Sequence, residues 1–442
     1  MKIVCKVIKY MVLIGGVFIF AVSCIYLYYT KPIQIREIEE YKSKGRVDLD
    51  KKLTRGEIKE DVNILISNIE KTHPIFLEGE SSKYKVAKEN LMKICNSEMT
   101  TERFQIEVSK YLSSIEDGHT RLWWNENSIL DIKWVYLEGK LVLLDENRKL
   151  TDKEVVEIND INVDDLVEGI KEIFPAENYI AENMNIAINL KSKSILKSLG
   201  VQDENQVEVT IKDKEGYSDV FTKYTRNDGS GSYEISDRKI DDDTFYIKLG
   251  ACIVDNSSDI VVKDLKNAIK EGVSNVIIDV RDNTGGNSMV CDNLLEAMDM
   301  EYGYFGGTTR FSPLAQKRRG YLRSRGSINY TSNNHYKKNE NINLYVINNG
   351  ATFSSAEMLV TLVRDGGLGT IVGSASSNRS SHYGDVINFQ LPNSNIECQV
   401  SHKKFIRPDT SKENELVLEP DIEVSFDDDP VEKTLQIIKN LK

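Results

Sequence analysis

Apolar positions in the first third of the chain recur at helical spacing. Thr54 and Glu57 form a Thr-x-x-Glu capping box, and Ile58, Val62, Leu65, Ile66 and Ile69 then fall on one face before Pro74. That pattern predicts a helix that Pro74 stops. A second amphipathic helix is predicted over 83–95. A third runs through Phe104, Val108, Tyr111, Leu112 and Ile115, and Gly118 is expected to end it, which leaves His119 just past a helix C-terminus.

From about 130 to 225 the period shortens. Apolar runs at 134–137, 141–144, 155–161 and 207–211 predict strands, interrupted by helical pieces near 176–199. The polar, glycine-containing stretch Asp228 to Ser232 reads as a boundary. Beyond it the elements alternate. Strands are predicted at 244–249, 276–280 and 343–347, with helices at 259–270, 288–300 and 354–364. The run Val276-Ile277-Ile278 has no polar face, which is how a parallel strand covered on both sides reads, so the fold class is α/β.

The N-terminal segment follows neither period. Residues 10–30 contain no charge, a length sufficient for a helix to cross a bilayer, and Lys2, Lys6 and Lys9 precede it. A single transmembrane helix with a cytoplasmic N-terminus is predicted, with the body on the extracytoplasmic side of the cell membrane. A cleaved signal peptide is the alternative, but the apolar run continues through Ile25 to Tyr29 without a small-x-small cleavage site. Ala21-Val22-Ser23-Cys24 is a poor lipoprotein box, and a lipid on Cys24 leaves the body anchored outside all the same.

Composition excludes several classes. The chain carries 57 Lys plus Arg against 69 Asp plus Glu, with no basic tract able to follow a phosphate backbone, so nucleic acid is not an expected partner. The six cysteines lack metal-ligand spacing and suggest no disulfide framework. No metal and no cofactor are expected.

The candidate chemistry centres on Ser354, which follows a predicted buried strand and the turn Asn348-Asn349-Gly350 and opens a helix. A hydroxyl there sits at the positive helix end, beside the free amide of Ser355. Taken alone, such a serine is usually a helix cap. What raises it is a second segment about 70 residues upstream: Asp279-Val280-Arg281-Asp282-Asn283-Thr284-Gly285-Gly286 precedes Thr352-Phe353-Ser354-Ser355-Ala356-Glu357.

Together these segments resemble those of the C-terminal-processing, or tail-specific, serine peptidase family. The resemblance extends to His73-Pro74, Asp117-Gly118-His119-Thr120 and Leu418-Glu419-Pro420-Asp421-Ile422, and so covers about 55–425. It implies a crotonase-like core of ββα units, with Ser354 as nucleophile and Gly286, or Gly285, forming an oxyanion hole with Ser355. It also implies a peptide or protein substrate cut near its C-terminus. The best-known branch keeps a lysine base 25 residues after the serine, where this chain has Arg379. A guanidinium stays protonated and cannot accept the serine proton. His119 is therefore the candidate base, as in the histidine branch, with His382 the runner-up. His73 is expected to be structural. Glu413 or Glu415 is the candidate supporting acid.

The expected organisation is an anchor over 1–30, a stalk over 31–53, an N-terminal helical domain over 54–125, a β-rich middle module over 126–230 and the catalytic core over 231–442. The middle module is either PDZ-like, on the strength of Ile158-Asn159-Asp160-Ile161, or a family-specific scaffold. The competing reading is a peptide-binding pseudo-peptidase, because the lysine is missing and the 374–380 loop is serine-rich. Acyl-thioester chemistry on the same core is disfavoured outside the cell.

Overall fold

The computed structural model describes residues 2–124, 128–202, 206–226 and 233–441, with side chains from residue 14 onward. The predicted boundary Asp228 to Ser232 lies outside the described residues.

The capping box forms as read. Thr54 caps the helix Arg55–Thr72, its side chain and that of Glu57 each satisfying the other's backbone amide, an arrangement worth about 1 kcal/mol. The next two helices are Ser82–Ile94 and Thr101–Ser113. The third ends earlier than expected. Ser114 is its C-cap, and Glu116, at φ 59°, takes the left-handed conformation assigned from sequence to Gly118.

Helices Arg55–Thr72 and Thr101–Ser113 bury Ile58, Leu65, Phe104 and Leu112 against Phe389, Cys398 and Val400. Those partners belong to an antiparallel sheet that the sequence pattern did not reveal. Its strands run in the order Ser327–Tyr330, Gly306–Arg310, Glu397–Ile406 and His382–Gln390. The short strand Arg121–Leu122 adds to it, placing Leu122 opposite Cys398.

The middle module is a second antiparallel sheet, ordered Gly216–Thr222, Val207–Asp213, Leu150–Ile158, Lys140–Leu144 and Trp134–Leu137. Its core is closed by the helices Val163–Ile173 and Tyr179–Asn189.

The C-terminal region is the α/β unit. Six strands lie in the order Ile235–Lys239, Thr244–Leu249, Asn275–Asp279, Asn343–Asn348, Gly369–Gly373 and Ile422–Glu423; the first pair is antiparallel and the others parallel. Val276 and Ile278 face the helices Asn256–Lys270, Met289–Ala297 and Ser355–Gly366, while Ile277 faces the helix Pro430–Asn440. Both faces are covered, which is why the strand carries no polar side. The turns after Asn275–Asp279 and Asn343–Asn348 emerge side by side at the C-terminal sheet edge, where open α/β sheets place their ligands.

The helix Lys2–Thr30 stands at the N-terminus. Among the described residues, no helix is long and apolar enough to cross a membrane. The segment expected as a stalk does not stand free: Ile35 N donates to Gly320 O at 2.9 Å, Leu322 N to Ile33 O at 2.8 Å and Lys44 N to the Gln390 side chain at 2.9 Å.

Candidate active site

The two motif segments interlock. Thr352 Oγ1 donates to Val280 O at 3.0 Å, Phe353 N donates to Asn283 O at 2.9 Å, and Asn349 Nδ2 donates to Asp282 Oδ1 at 2.9 Å. At the base of the turn Asp279 is buried and held bidentately by Arg281 at 3.0 and 2.7 Å, with Tyr246 donating at 2.8 Å. The polar residues of the two segments are thus a set of stitches between neighbouring strand ends.

At the end of this turn Ser354 has φ 55° and ψ −124°, and its side chain makes no capping bond to the helix Ser355–Gly366. A non-glycine residue with positive φ is strained by about 1–3 kcal/mol and persists only where its surroundings fix it. Here the Ser354 amide donates to Asn378 Oδ1 at 2.7 Å. The cap interpretation therefore fails, and the hydroxyl makes no bond to the helix it precedes.

Gly285 and Gly286 lie directly against this serine. A Cβ on Gly285 would come within 2.6 Å of Ser354 Cβ and 2.9 Å of Ser355 N, so only glycine fits. Its own amide is occupied, donating to Asn283 Oδ1 at 2.8 Å, and so is not available to an oxyanion. Gly286 differs. Cys252 bonds its two neighbours, donating to Gly285 O at 3.0 Å and accepting from Asn287 N at 2.7 Å. In a parallel bridge this turns the N–H and C=O of Gly286 to the opposite side. There the carbonyl accepts from Ser355 Oγ at 2.8 Å. The Gly286 N–H shares that side and has no hydrogen bond among the described residues, as does Ser355 N–H at the first helical position. Of the alternatives, Gly286 with Ser355 is the pair left free to receive negative charge.

His119 is 93% buried, with the ring centroid 4.4 Å from that of Phe353, the residue preceding Ser354. Its backbone is clamped by Gln399 Nε2, which donates to its carbonyl at 2.6 Å. Both ring nitrogens lack hydrogen-bond partners, so the ring makes no bond to the serine hydroxyl. The acids facing Nδ1 are Asp117 Oδ1 at 3.7 Å and Glu177 Oε1 at 3.9 Å. Neither sequence candidate is there. Glu413 pairs with Lys404 at 3.2 Å and Glu415 with Arg407.

Asp117 is fully buried; its Oδ1 accepts from His119 N at 2.9 Å and its Oδ2 from His73 Nε2 at 3.0 Å, Thr120 Oγ1 at 2.6 Å and Ser401 Oγ at 2.6 Å. Burial pushes its carboxyl up, yet these donors and the nearby His73 and His119 hold it well below the usual range. His73 also accepts from Ile75 N at 3.1 Å and is structural. Glu177 was not foreseen. It accepts from Gly118 N at 3.0 Å, Asn378 Nδ2 at 2.7 Å and Arg379 N at 3.1 Å, and burial, then the Asp117 charge, raise its carboxyl.

His382 stacks on His119 with centroids 5.6 Å apart and donates from Nδ1 to the Arg379 carbonyl at 3.0 Å. Burial, then the neighbouring His119, depress it to about 3, which makes it too weak a base near neutral pH. The serine-rich loop also finds its reason: Ser376 Oγ donates to the buried carboxyl of Glu357 at 2.7 Å, and Ser380 lies 3.5 Å from it. Asp117, His119 and Glu177 form a group with metal-like spacing, in which Asp117 Oδ1 and Glu177 Oε1 each accept one backbone N–H.

No curated protein matches the chain by sequence. Solved structures resemble its fold, among them two of mature CPAF. Mature CPAF complexed with lactacystin is 14% identical, with 87% of this chain and 98% of that one covered at a TM-score of 0.60. Mature CPAF alone is 13% identical, with 87% and 96% covered at 0.59. Residues 243–424, which hold both interlocked turns, match Peptidase family S41. That region is a Peptidase family S41 domain, and the chain is a serine-type peptidase.

Proposed function

We propose that this chain is a membrane-anchored, extracytoplasmic endopeptidase that cleaves peptides or proteins near their C-termini through a Ser354–His119 couple on a crotonase-like core. The observation that carries the couple is the strained, uncapping Ser354, which follows Phe353, whose ring packs on a buried His119 with both ring nitrogens unpartnered. An unpartnered buried ring is costly and is retained where it has work to do.

In this mechanism Ser354 Oγ attacks the scissile carbonyl while His119 Nε2 takes the hydroxyl proton and returns it to the leaving amine. The oxyanion lies between the Gly286 and Ser355 amides. Water then hydrolyses the acyl ester by the reverse sequence. The chemistry requires no cofactor. The middle module, read as PDZ-like, offers its outer strands Gly216–Thr222 and Trp134–Leu137 to a substrate strand.

Support for the anchor is the uncharged 10–30 segment and the bare apolar surface of its helix, where Phe18 and Phe20 are 68% and 71% exposed.

The test is labelling of the full chain with a fluorophosphonate. Rapid modification at Ser354 in the wild type, lost in His119→Ala, is expected. A wild type that does not react while folded favours the second reading, a peptide-binding pseudo-peptidase, which Arg379 at the lysine position motivates.

A further inference from the structure

The segment joining the helices Val163–Ile173 and Tyr179–Asn189 belongs to the middle module, yet it docks on the catalytic turn. Asn178 Nδ2 donates to Ser376 O at 3.1 Å and Leu416 O at 3.2 Å. A Cβ on Gly350 would come within 3.1 Å of Met184 Sδ and 3.3 Å of Ile180. Gly118 is likewise confined: a Cβ there would meet the Phe353 ring at 3.0 Å and Glu177 Oε1 at 3.2 Å.

We infer that Glu177 is the positioning acid of the site, fixing the His119 ring through Nδ1 and the Ser354 backbone through Asn378. This rests on the Ser354–His119 reading above. One carboxylate oxygen accepts from Gly118 N and lies 3.9 Å from His119 Nδ1; the other accepts from Asn378 Nδ2 and Arg379 N. Asn378 passes the constraint on, since its Oδ1 holds the Ser354 amide at 2.7 Å. One buried side chain thus touches the base on one side and, through one residue, the nucleophile on the other.

Asp117 is the competing acid. Three of its four donors meet Oδ2, its Oδ1 accepts from the His119 backbone amide and lies 3.7 Å from Nδ1, and it stands only two residues from His119, so it shapes the local turn. Glu177 Oε1 likewise has one donor, Gly118 N, but Glu177 also reaches the nucleophile through Asn378, which Asp117 does not. A shift of about 1 Å brings Nδ1–H to normal hydrogen-bond distance, the kind of tightening expected when substrate binds. With Nδ1 as donor, Nε2 carries the lone pair that must accept the serine proton.

Glu177→Gln tests this sharply. Two donors meet the Oε2 position, so the glutamine carbonyl must sit there and its NH2 must face Gly118 N and His119 Nδ1. That would turn Nδ1 into the acceptor and put the ring proton on Nε2, disabling the base. The expected result is a fall of about 10²–10⁴-fold in the rate of Ser354 modification by a fluorophosphonate, of the order seen when a triad acid becomes its amide. The 15N spectrum of histidine-labelled full-length protein should show the His119 tautomer switching from Nδ1–H to Nε2–H, which a merely structural role would not produce. If His119→Ala abolishes labelling but Glu177→Gln labels within threefold of wild type or keeps the wild-type tautomer, the assignment of Glu177 is overturned and the couple survives. If His119→Ala labels normally, the couple itself fails. Should Glu177→Gln not fold, Asn378→Ala serves instead: wild-type labelling by that folded variant would equally sink the inference, and a hundredfold loss would support it.

Discussion

Glu357 opens the helix that follows Ser354 and is completely buried, and burial, only partly offset by Ser376 and by the charge of Arg407, raises its carboxyl to about 8. The ordinary value is 4.5, so the sign is fixed. Below pH 4.5 both folded and unfolded chains hold this proton, and stability is unaffected. Between 4.5 and about 8 the unfolded chain releases it while the folded chain keeps it, so the folded state loses stability as pH rises. Above 8 both are ionised and the penalty is constant. At 1.36 kcal/mol per pH unit, the span of 8 − 4.5 = 3.5 gives an upper bound of ~5 kcal/mol. Glu357→Gln removes the titration while keeping shape and an acceptor for Ser376. Urea unfolding of wild type and variant should therefore give similar stabilities near pH 5 and a growing advantage for the variant, by a few kcal/mol, towards pH 9. Subtracting one from the other cancels the other titrating groups. A difference that stays flat from pH 5 to 9 would refute the neutral, buried carboxyl.

Gly285→Ala should fold poorly and lose activity: positive φ and contacts under 3 Å with the serine turn together cost about 2–6 kcal/mol, read as a lowered melting temperature. Gly286 has φ 139°, so proline there would break the turn and cannot serve as a clean deletion of the amide. Arg379 has a buried Nε without a partner and no carboxylate within ion-pair range among the described residues, so Arg379→Ala should leave fluorophosphonate labelling intact while raising KM for substrates with a free terminal carboxylate more than for their amides. Protease added to intact cells should remove the body; protection until lysis would overturn the extracytoplasmic assignment.

Local signals were the legible ones. The Thr54 capping box, the apolar faces of the first helices and the all-apolar Val276-Ile277-Ile278 each report on neighbours a few residues away, and each element formed within a few residues of its predicted place. The sheet containing His382–Gln390 and Glu397–Ile406 was not legible. Asp385, at φ 50°, interrupts the alternation of the first strand, and the adjacent Lys403 and Lys404 put a charge on each face of the second, which breaks its alternation. Gly118 was assigned to a helix end because a glycine after a helix usually is one; the space it saves is instead for Phe353 and Glu177, far away in sequence. Glu413 and Glu415 were chosen by position, and the cations Lys404 and Arg407 claim them. Nothing near Glu177 signals its role, since an isolated acid between two helices reads as solvated surface until the fold buries it.

The strain at Ser354 and the stitches around it are one arrangement. A serine at φ 55° would relax, or be better served by glycine, unless neighbouring bonds outweighed the local cost. Those bonds come from three directions: Asn283 holds Phe353, Asn378 holds the Ser354 amide, and Ser355 holds the Gly286 carbonyl. Each is contributed by a polar side chain or carbonyl that is itself buried and satisfied, so none can be lost without leaving a partner unpaired. The result is a hydroxyl fixed at a helix N-terminus yet excluded from capping it. The geometry proposed for catalysis therefore depends on packing between modules as much as on the motifs, because Asn378 is held by Glu177 from the middle module and His119 by Gln399 from the antiparallel sheet.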